Sequence, residues 1–124
     1  MNIIDTIINH EDDRGIIIDL VEDQNINAIT YISFSAGSVR ANHYHKKTTQ
    51  WNYVLRGRIK LVTQFEDGPI SELILNKGDL VVTVPMEKHA LVGIEQSEML
   101  VFTEGPRGGK EYESDTFRLE QPLM

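Results

Sequence analysis

The chain has no cysteine. Disulfides, thiolate nucleophiles and cysteine-ligated zinc are excluded, and the composition fits a reducing compartment. Long apolar runs are also missing. No stretch approaches the roughly 20 residues of a membrane-spanning helix. The opening MNIIDTIINHEDD has neither the basic start nor the apolar run of a secretory signal. A cytoplasmic protein with no membrane partner is expected. A third shortage is local: there is no Asp or Glu from Gln24 to Phe65, a stretch that carries Arg40, Lys46, Lys47, Arg56, Arg58 and Lys60. That stretch has a charge of +6 and the remainder −13, for a net −7. The negative total argues against nucleic-acid binding. The acid-free stretch is either a solvated basic sheet face opposite acidic loops, or a positive field suited to an anionic ligand such as a diphosphate.

What is present is enough for one domain with a real core: 124 residues, 40% hydrophobic and 25% charged. Short apolar runs rich in Ile, Val, Leu and Tyr recur between turn signals, the pattern of an all-β sandwich or barrel. The expected strands are Ile16–Val21, Ile26–Phe34, Val39–His45, Trp51–Leu55, Arg58–Phe65, Ile70–Leu75, Leu80–Val84, Ala90–Ile94 and Met99–Thr103. Asp67-Gly68 suits a hairpin turn, and Pro69 cannot continue a ladder there. Gly57, between two strand patterns, marks a tight turn of unusual φ. From about residue 104 the chain becomes polar and turn-rich (GPRGGKEYESDTFRLEQPLM). That extension is expected to be a flap, a cover over a barrel mouth or a partly mobile end.

The chemistry concentrates between Gly37 and Gly57, GSVRANHYHKKTTQWNYVLRG. Side chains alternate faces along a strand, so His43 and His45 point the same way and Tyr44 the other. Val39 and Ala41 are expected to share the histidine face as small apolar barrel lining. Gln50 begins the next strand, with Asn52 and Val54 on its face and Trp51 opposite. His89, at the end of a later strand pattern, can converge on the same site. His10 stands alone in an acidic stretch and reads as a solvated surface residue.

Three imidazoles and a Gln admit two chemistries. They can ligate a divalent metal (Zn, Fe, Ni or Mn) through His43, His45, Gln50 and His89, leaving a position for water or substrate. Alternatively, with no metal, a histidine of near-neutral pKa acts as a general base. A carboxylate in place of Gln50 would attract a cation with about 4 kcal/mol per unit-charge pair at 4 Å and an effective dielectric of 20. A neutral Gln therefore weakens the metal site.

The spacing Gly37-x5-His43-x-His45-x4-Gln50-x6-Gly57 resembles the first motif of the cupin superfamily, with Gln where that motif usually has Glu. Gly78-Asp79, Pro85 and His89 resemble a looser second motif. The resemblance covers about Ser35 to Gly93 and implies a double-stranded β-helix, the cupin jelly-roll barrel, with the site inside. The flanking residues are similar to those of small sugar-nucleotide cupins. The dTDP-4-keto-6-deoxyhexose 3,4-ketoisomerases share Arg40, His43, His45, Lys46 and Gln50. The dTDP-4-dehydrorhamnose 3,5-epimerases match Arg40, His43 and Tyr44. The C-terminal cupin domains of capsular-polysaccharide reductases match Arg40, Asn42, His43, Tyr44, His45 and Lys46. Ala41 replaces the Gly of these motifs.

That resemblance implies an isomerase or epimerase acting on a nucleotide-linked 4-keto-6-deoxy sugar. His43 would abstract the C3 proton, and His45, a tyrosine or a metal would stabilise the oxyanion. Arg40 and Lys46 would hold the diphosphate with Asn52 also on the substrate, and Trp51 or Tyr44 would stack on the base. It also implies a homodimer. The other readings are a metal-binding cupin of different chemistry and a non-catalytic small-ligand binder.

Overall fold

The computed structural model describes residues 1–107 and 111–124. Twelve strands and one short helix are present among them: β1 (Asn2–Ile4), β2 (His10–Asp12), β3 (Gly15–Ile17), β4 (Ala28–Phe34), β5 (Val39–Tyr44), β6 (Thr49–Arg56), β7 (Arg58–Phe65), β8 (Ile70–Asn76), β9 (Leu80–Thr83), β10 (Glu87–Gly93), β11 (Ser97–Glu104), α1 (Glu111–Ser114) and β12 (Phe117–Arg118). They form two five-stranded antiparallel sheets, ordered β1-β9-β6-β11-β4 and β12-β5-β10-β7-β8, with β2-β3 as a separate hairpin. This is the jelly-roll sandwich expected of a cupin. Among the described residues, no helix is long and apolar enough to cross a membrane.

The alternation that suggested strands also builds the core. Phe34, Val54, Met99 and Val101 from the first sheet meet Ile59, Leu61, Leu75 and Leu91 from the second, all buried. On the outer face of the first sheet, Trp51, Leu80 and Val82 form a second cluster, covered by Ile4, Val21 and Ile26 of the N-terminal segment. Side chains on β6, β11 and β10 therefore sort by parity, and the inward ones change character along each strand. Val54 is followed toward the N-terminal end of β6 by Asn52 and Gln50, Val101 gives way to Thr103, and Leu91 to His89. The sandwich has an apolar closed end and a polar open end, and the site lies where the two meet.

The expected strands differ from the structure mainly at the N-terminus. Ile16–Val21 is a strand only to Ile17, because β3 is half of an isolated hairpin with β2. Strands β1, β2 and β12 are too short to show periodicity. His89 is the third residue of β10 rather than the end of a strand, since pairing with β7 begins at Glu87. Gly57 does turn the chain between β6 and β7, at φ 84. A Cβ there would lie 2.3 Å from Ser97 Oγ and 2.5 Å from the Gln96 carbonyl.

Candidate functional site

His43 and His89 are direct cross-strand partners on β5 and β10, which brings their ring centroids to 4.7 Å. His45 follows β5 and sits 4.7 Å from His43 and 5.4 Å from His89. One ligand-capable nitrogen from each of the three lies within 4.8 Å of the others. Beside them is a cavity of about 260 Å³ between the two sheets, lined in part by Arg40, His43, Gln50, Asn52, His89 and Leu91. Larger recesses occur under the N-terminal segment (about 320 Å³) and beside the C-terminal tail (about 470 Å³), but neither contains a histidine.

Burial, reinforced by the neighbouring imidazoles and by Arg118 and Arg107, lowers the His43 pKa to about 3. Burial lowers that of His89 to about 4, against a raising contribution from its bond to the Glu87 carbonyl. Both are neutral at pH 7. His45 Nδ1 lies 2.8 Å from the Asp115 carbonyl, and His89 Nδ1 lies 3.0 Å from the Glu87 carbonyl. A carbonyl only accepts, so each Nδ1 carries a hydrogen, and the neutral His89 ring presents a lone pair at Nε2, as the His45 ring does in its Nδ1–H tautomer. His45 Nε2 is buried and is the unsatisfied side-chain polar atom found among the described residues. A buried acceptor without a donor costs about 1–3 kcal/mol and invites a cation or a proton. The donor set therefore fits a divalent metal, with backbone carbonyls orienting two of the imidazoles as ligand histidines are commonly oriented. In that tautomer Nε2 of His45 carries no hydrogen for an oxyanion, the role the resemblance implies for His45, a tyrosine or a metal.

The structure separates the remaining site residues. Arg40 lines the cavity, with one Nη2 donating to the Ser33 carbonyl at 3.0 Å. Asn52 lines it too, although its amide donates to the Val81 carbonyl at 3.1 Å and more weakly to its neighbours. Gln50 borders the cavity 3.5 Å from Thr103 Oγ1. Lys46 does not reach it: its ammonium sits 4.4 Å above the Phe117 ring. Trp51 is buried in the outer cluster, and Tyr44 stacks on Phe117 at 5.3 Å, so neither aromatic faces the histidines. Val39 is 47% exposed, because Ala41 and Asn42 both adopt left-handed φ (70 and 57) and the ladder to β10 is bulged between His89 and Ala90. The alternation assumed from His43 back to Val39 is broken there. His10 is exposed and hydrogen-bonds Asp12 at 3.0 Å. Of the acid-free stretch's cations, Arg56, Arg58 and Lys60 pair with Glu98, Glu95 and Glu72 on the surface.

Two polar cavity residues stand outside the expected set. Arg107 and Tyr112 come from the C-terminal extension and line the cavity together, the guanidinium 4.0 Å over the Tyr112 ring. The extension is the cover over the mouth that its composition allowed. It pairs with β5 through β12 and is held by Asn42, whose Oδ1 accepts from the Leu123 N–H at 2.7 Å. Residues 108–110, part of the same extension, lie outside the described residues. No periodicity in the tail places Arg107, and its Gly and Pro neighbours signal only a turn.

Fold and site together define a cupin with a three-histidine cluster, two members of which line its cavity. The chain belongs to the polysaccharide biosynthesis C-terminal domain family, whose model matches residues 10–117. None of the curated proteins compared matches it. Among solved structures it is similar to the sugar 3,4-ketoisomerase QdtA of Thermoanaerobacterium thermosaccharolyticum in complex with TDP, with TM-score 0.79 and 20% identity over 96% of this chain and 88% of that one. A variant of QdtA is also solved with TDP-4-keto-6-deoxyglucose. The dTDP-4-dehydrorhamnose 3,5-epimerase of Sulfolobus tokodaii gives TM-score 0.70 and 18% identity over 85% of this chain and 69% of that one. The capsular polysaccharide assembling protein CapF of Staphylococcus aureus gives 0.66 and 19%, over 94% of this chain and 35% of CapF.

Proposed function

We propose that the chain is an isomerase or epimerase of a nucleotide-linked 4-keto-6-deoxy sugar in surface-polysaccharide biosynthesis. The observation that carries this reading is one cavity joining neutral imidazoles to the guanidinium groups of Arg40 and Arg107. Among the described residues no carboxylate lines that cavity, and neither arginine has an ion-pair partner. Such a cavity attracts an anion and leaves an uncharged base beside it. The sugar and nucleotide are suggested by what QdtA binds.

A ketone at C4 acidifies the C3 hydrogen, and His43 accepts that proton. A pKa near 3 makes His43 a weak base by itself. A bound diphosphate corrects this: one negative charge at about 6 Å and an effective dielectric of 20 is worth about 2.8 kcal/mol, or about 2 pH units. Tyr112, which lines the cavity, would donate its hydroxyl to the enediolate, a role that neutral His89 does not fill at Nε2. Return of the proton to C4 gives the 3-keto isomer, and its return to the opposite face of C3 gives an epimer. Arg40 and Arg107, rather than Lys46, hold the diphosphate.

In deuterated water the wild type should wash deuterium into C3 of a TDP-4-keto-6-deoxy sugar, and His43→Asn should abolish the exchange. Absence of exchange with every nucleotide sugar tried refutes the reading. Removing Arg107 should raise KM about 10- to 100-fold, the equivalent of a charge-assisted hydrogen bond of about 1.5–3 kcal/mol.

The unsatisfied His45 Nε2 favours a second reading as a metallo-cupin. His43, His45, His89 and Gln50 would hold Zn, Fe, Ni or Mn, which when bound would polarise a carbonyl oxygen. Metal analysis of the purified protein, with the exchange assay repeated after chelation, separates the two. The reading also carries a homodimer in the cytoplasm. Exposed Ile16, Ile17, Ile29 and Tyr31 form apolar surface for a second copy to cover, and sedimentation should give twice 14.1 kDa.

A further inference from the structure

Asp115 makes a dense set of polar contacts near the histidines and, among the described residues, neither lines the cavity nor pairs with a cation. Its carboxylate accepts from the Lys46 N–H at 3.0 Å, the Lys47 N–H at 3.0 Å and the Thr48 hydroxyl at 2.6 Å. Its own backbone carbonyl accepts from His45 Nδ1 at 2.8 Å. One buried residue of the C-terminal extension thus grips four consecutive residues, from His45 to Thr48. Burial pushes the Asp115 carboxyl up, and the Thr48 hydroxyl with the two backbone N–H groups outweighs it, leaving the group below the usual carboxylate range.

His89 provides the contrast. Its Nδ1 partner is the Glu87 carbonyl, two residues away on the same strand. The His89 tautomer is therefore set by β10 itself, whereas that of His45 depends on a residue 70 positions later in the chain.

We infer that Asp115 is the positioning residue of this site: by clamping the loop after β5 it aims its carbonyl at His45 and fixes that imidazole with its lone pair at Nε2. Without the carboxylate, the Lys46 and Lys47 N–H groups lose their acceptor and the loop no longer registers against the tail. The Asp115 carbonyl then drifts from Nδ1, and His45 is free to carry its hydrogen on either nitrogen. The tail is in this way part of the machinery rather than a passive cover.

The test is histidine NMR on the full-length protein labelled with 15N and 13C in its imidazoles, at pH 7. In the wild type, His45 and His89 should both show the Nδ1–H form. In Asp115→Ala, His45 should become a mixture of tautomers while His89 keeps its form. Thr48→Val, which removes one of the three side-chain contacts, should give a smaller shift in the same direction and guards against a variant that fails to fold. The kinetic arm rests on the isomerase reading: kcat should fall about 100-fold, as misplacement by about an ångström commonly costs, with KM changed less than about threefold. If both variants melt at lower temperature but His45 keeps the Nδ1–H form, Asp115 only holds the tail and the inference is overturned. If the wild type turns over no nucleotide sugar, the isomerase reading fails while the tautomer result still decides the role of Asp115.

Discussion

Ala41 occupies a backbone conformation that its side chain disfavours. At φ 70 it lies in the left-handed region, followed by Asn42 at φ 57. Asn tolerates that region, and here its side chain is engaged with Leu123 and Met124. Ala has no such compensation, and a left-handed Cβ costs roughly 1–2 kcal/mol. Ala41→Gly removes that strain but adds about 0.4–1 kcal/mol of unfolded-state freedom, so the first effect should win. We expect a net gain of about 0.5–1 kcal/mol by denaturant titration. A loss of stability instead would mean that the positive φ at Ala41 is not strained. The bulge that needs this geometry is also what turns Arg40 to the cavity and leaves Val39 in solvent.

The strands show how far the sequence could be read. Period-two alternation places Gln50, Asn52 and Val54 on one face and Trp51 on the other, because β6 pairs in regular register from Gln50 to Val54 and its bulge falls beyond, at Leu55. The same rule misplaced Val39, because two successive left-handed residues reverse the parity and Ala41 does not announce such a conformation as Gly would. The His43-x-His45 spacing was legible for the same local reason. The approach of His89 follows from β5–β10 pairing, which spacing alone does not state. Lys46 neighbours the histidines in sequence, but it lies in the loop after β5, and its ammonium rests on the Phe117 ring rather than in the cavity. Arg107 is not legible in the sequence, because only the tertiary path of the tail brings it to the cavity. The β6–β7 turn was legible in full. Gly57→Ala adds a left-handed penalty of about 1–2 kcal/mol to a Cβ 2.5 Å from the Gln96 carbonyl, with overpacking of about 1–3 kcal/mol. The sum, about 2–5 kcal/mol, should appear as a large drop in the denaturation midpoint. A change below about 1 kcal/mol would show that β7 and the turn shift freely.

Two imidazoles held uncharged by burial at one end of a small barrel should make the whole molecule acid-sensitive. His43 and His89 titrate near 3 and 4 in the folded chain, against about 6.5 when unfolded. Their folded-state values are depressed, so the stability they permit is fully present above pH 6.5. It falls as the pH drops, because the unfolded chain takes up protons that the folded one refuses. Each contributes about 1.4 kcal/mol per pH unit, so the two together remove on the order of 5 kcal/mol between pH 6.5 and 4. That is comparable with the roughly 5–15 kcal/mol that holds a domain folded. The loss should slow below about pH 4, where His89 protonates in the folded state as well, and end near pH 3 with His43. Denaturant titrations at half-unit steps should therefore show stability falling steeply below pH 6.5, before most carboxylates titrate. His43→Asn should lower the slope by about half over the same window, since one of the two proton uptakes is removed. A wild-type curve that stays flat from pH 6.5 to 4.5 would mean that the folded cavity accepts protons readily, and that its histidines are better solvated than their burial implies.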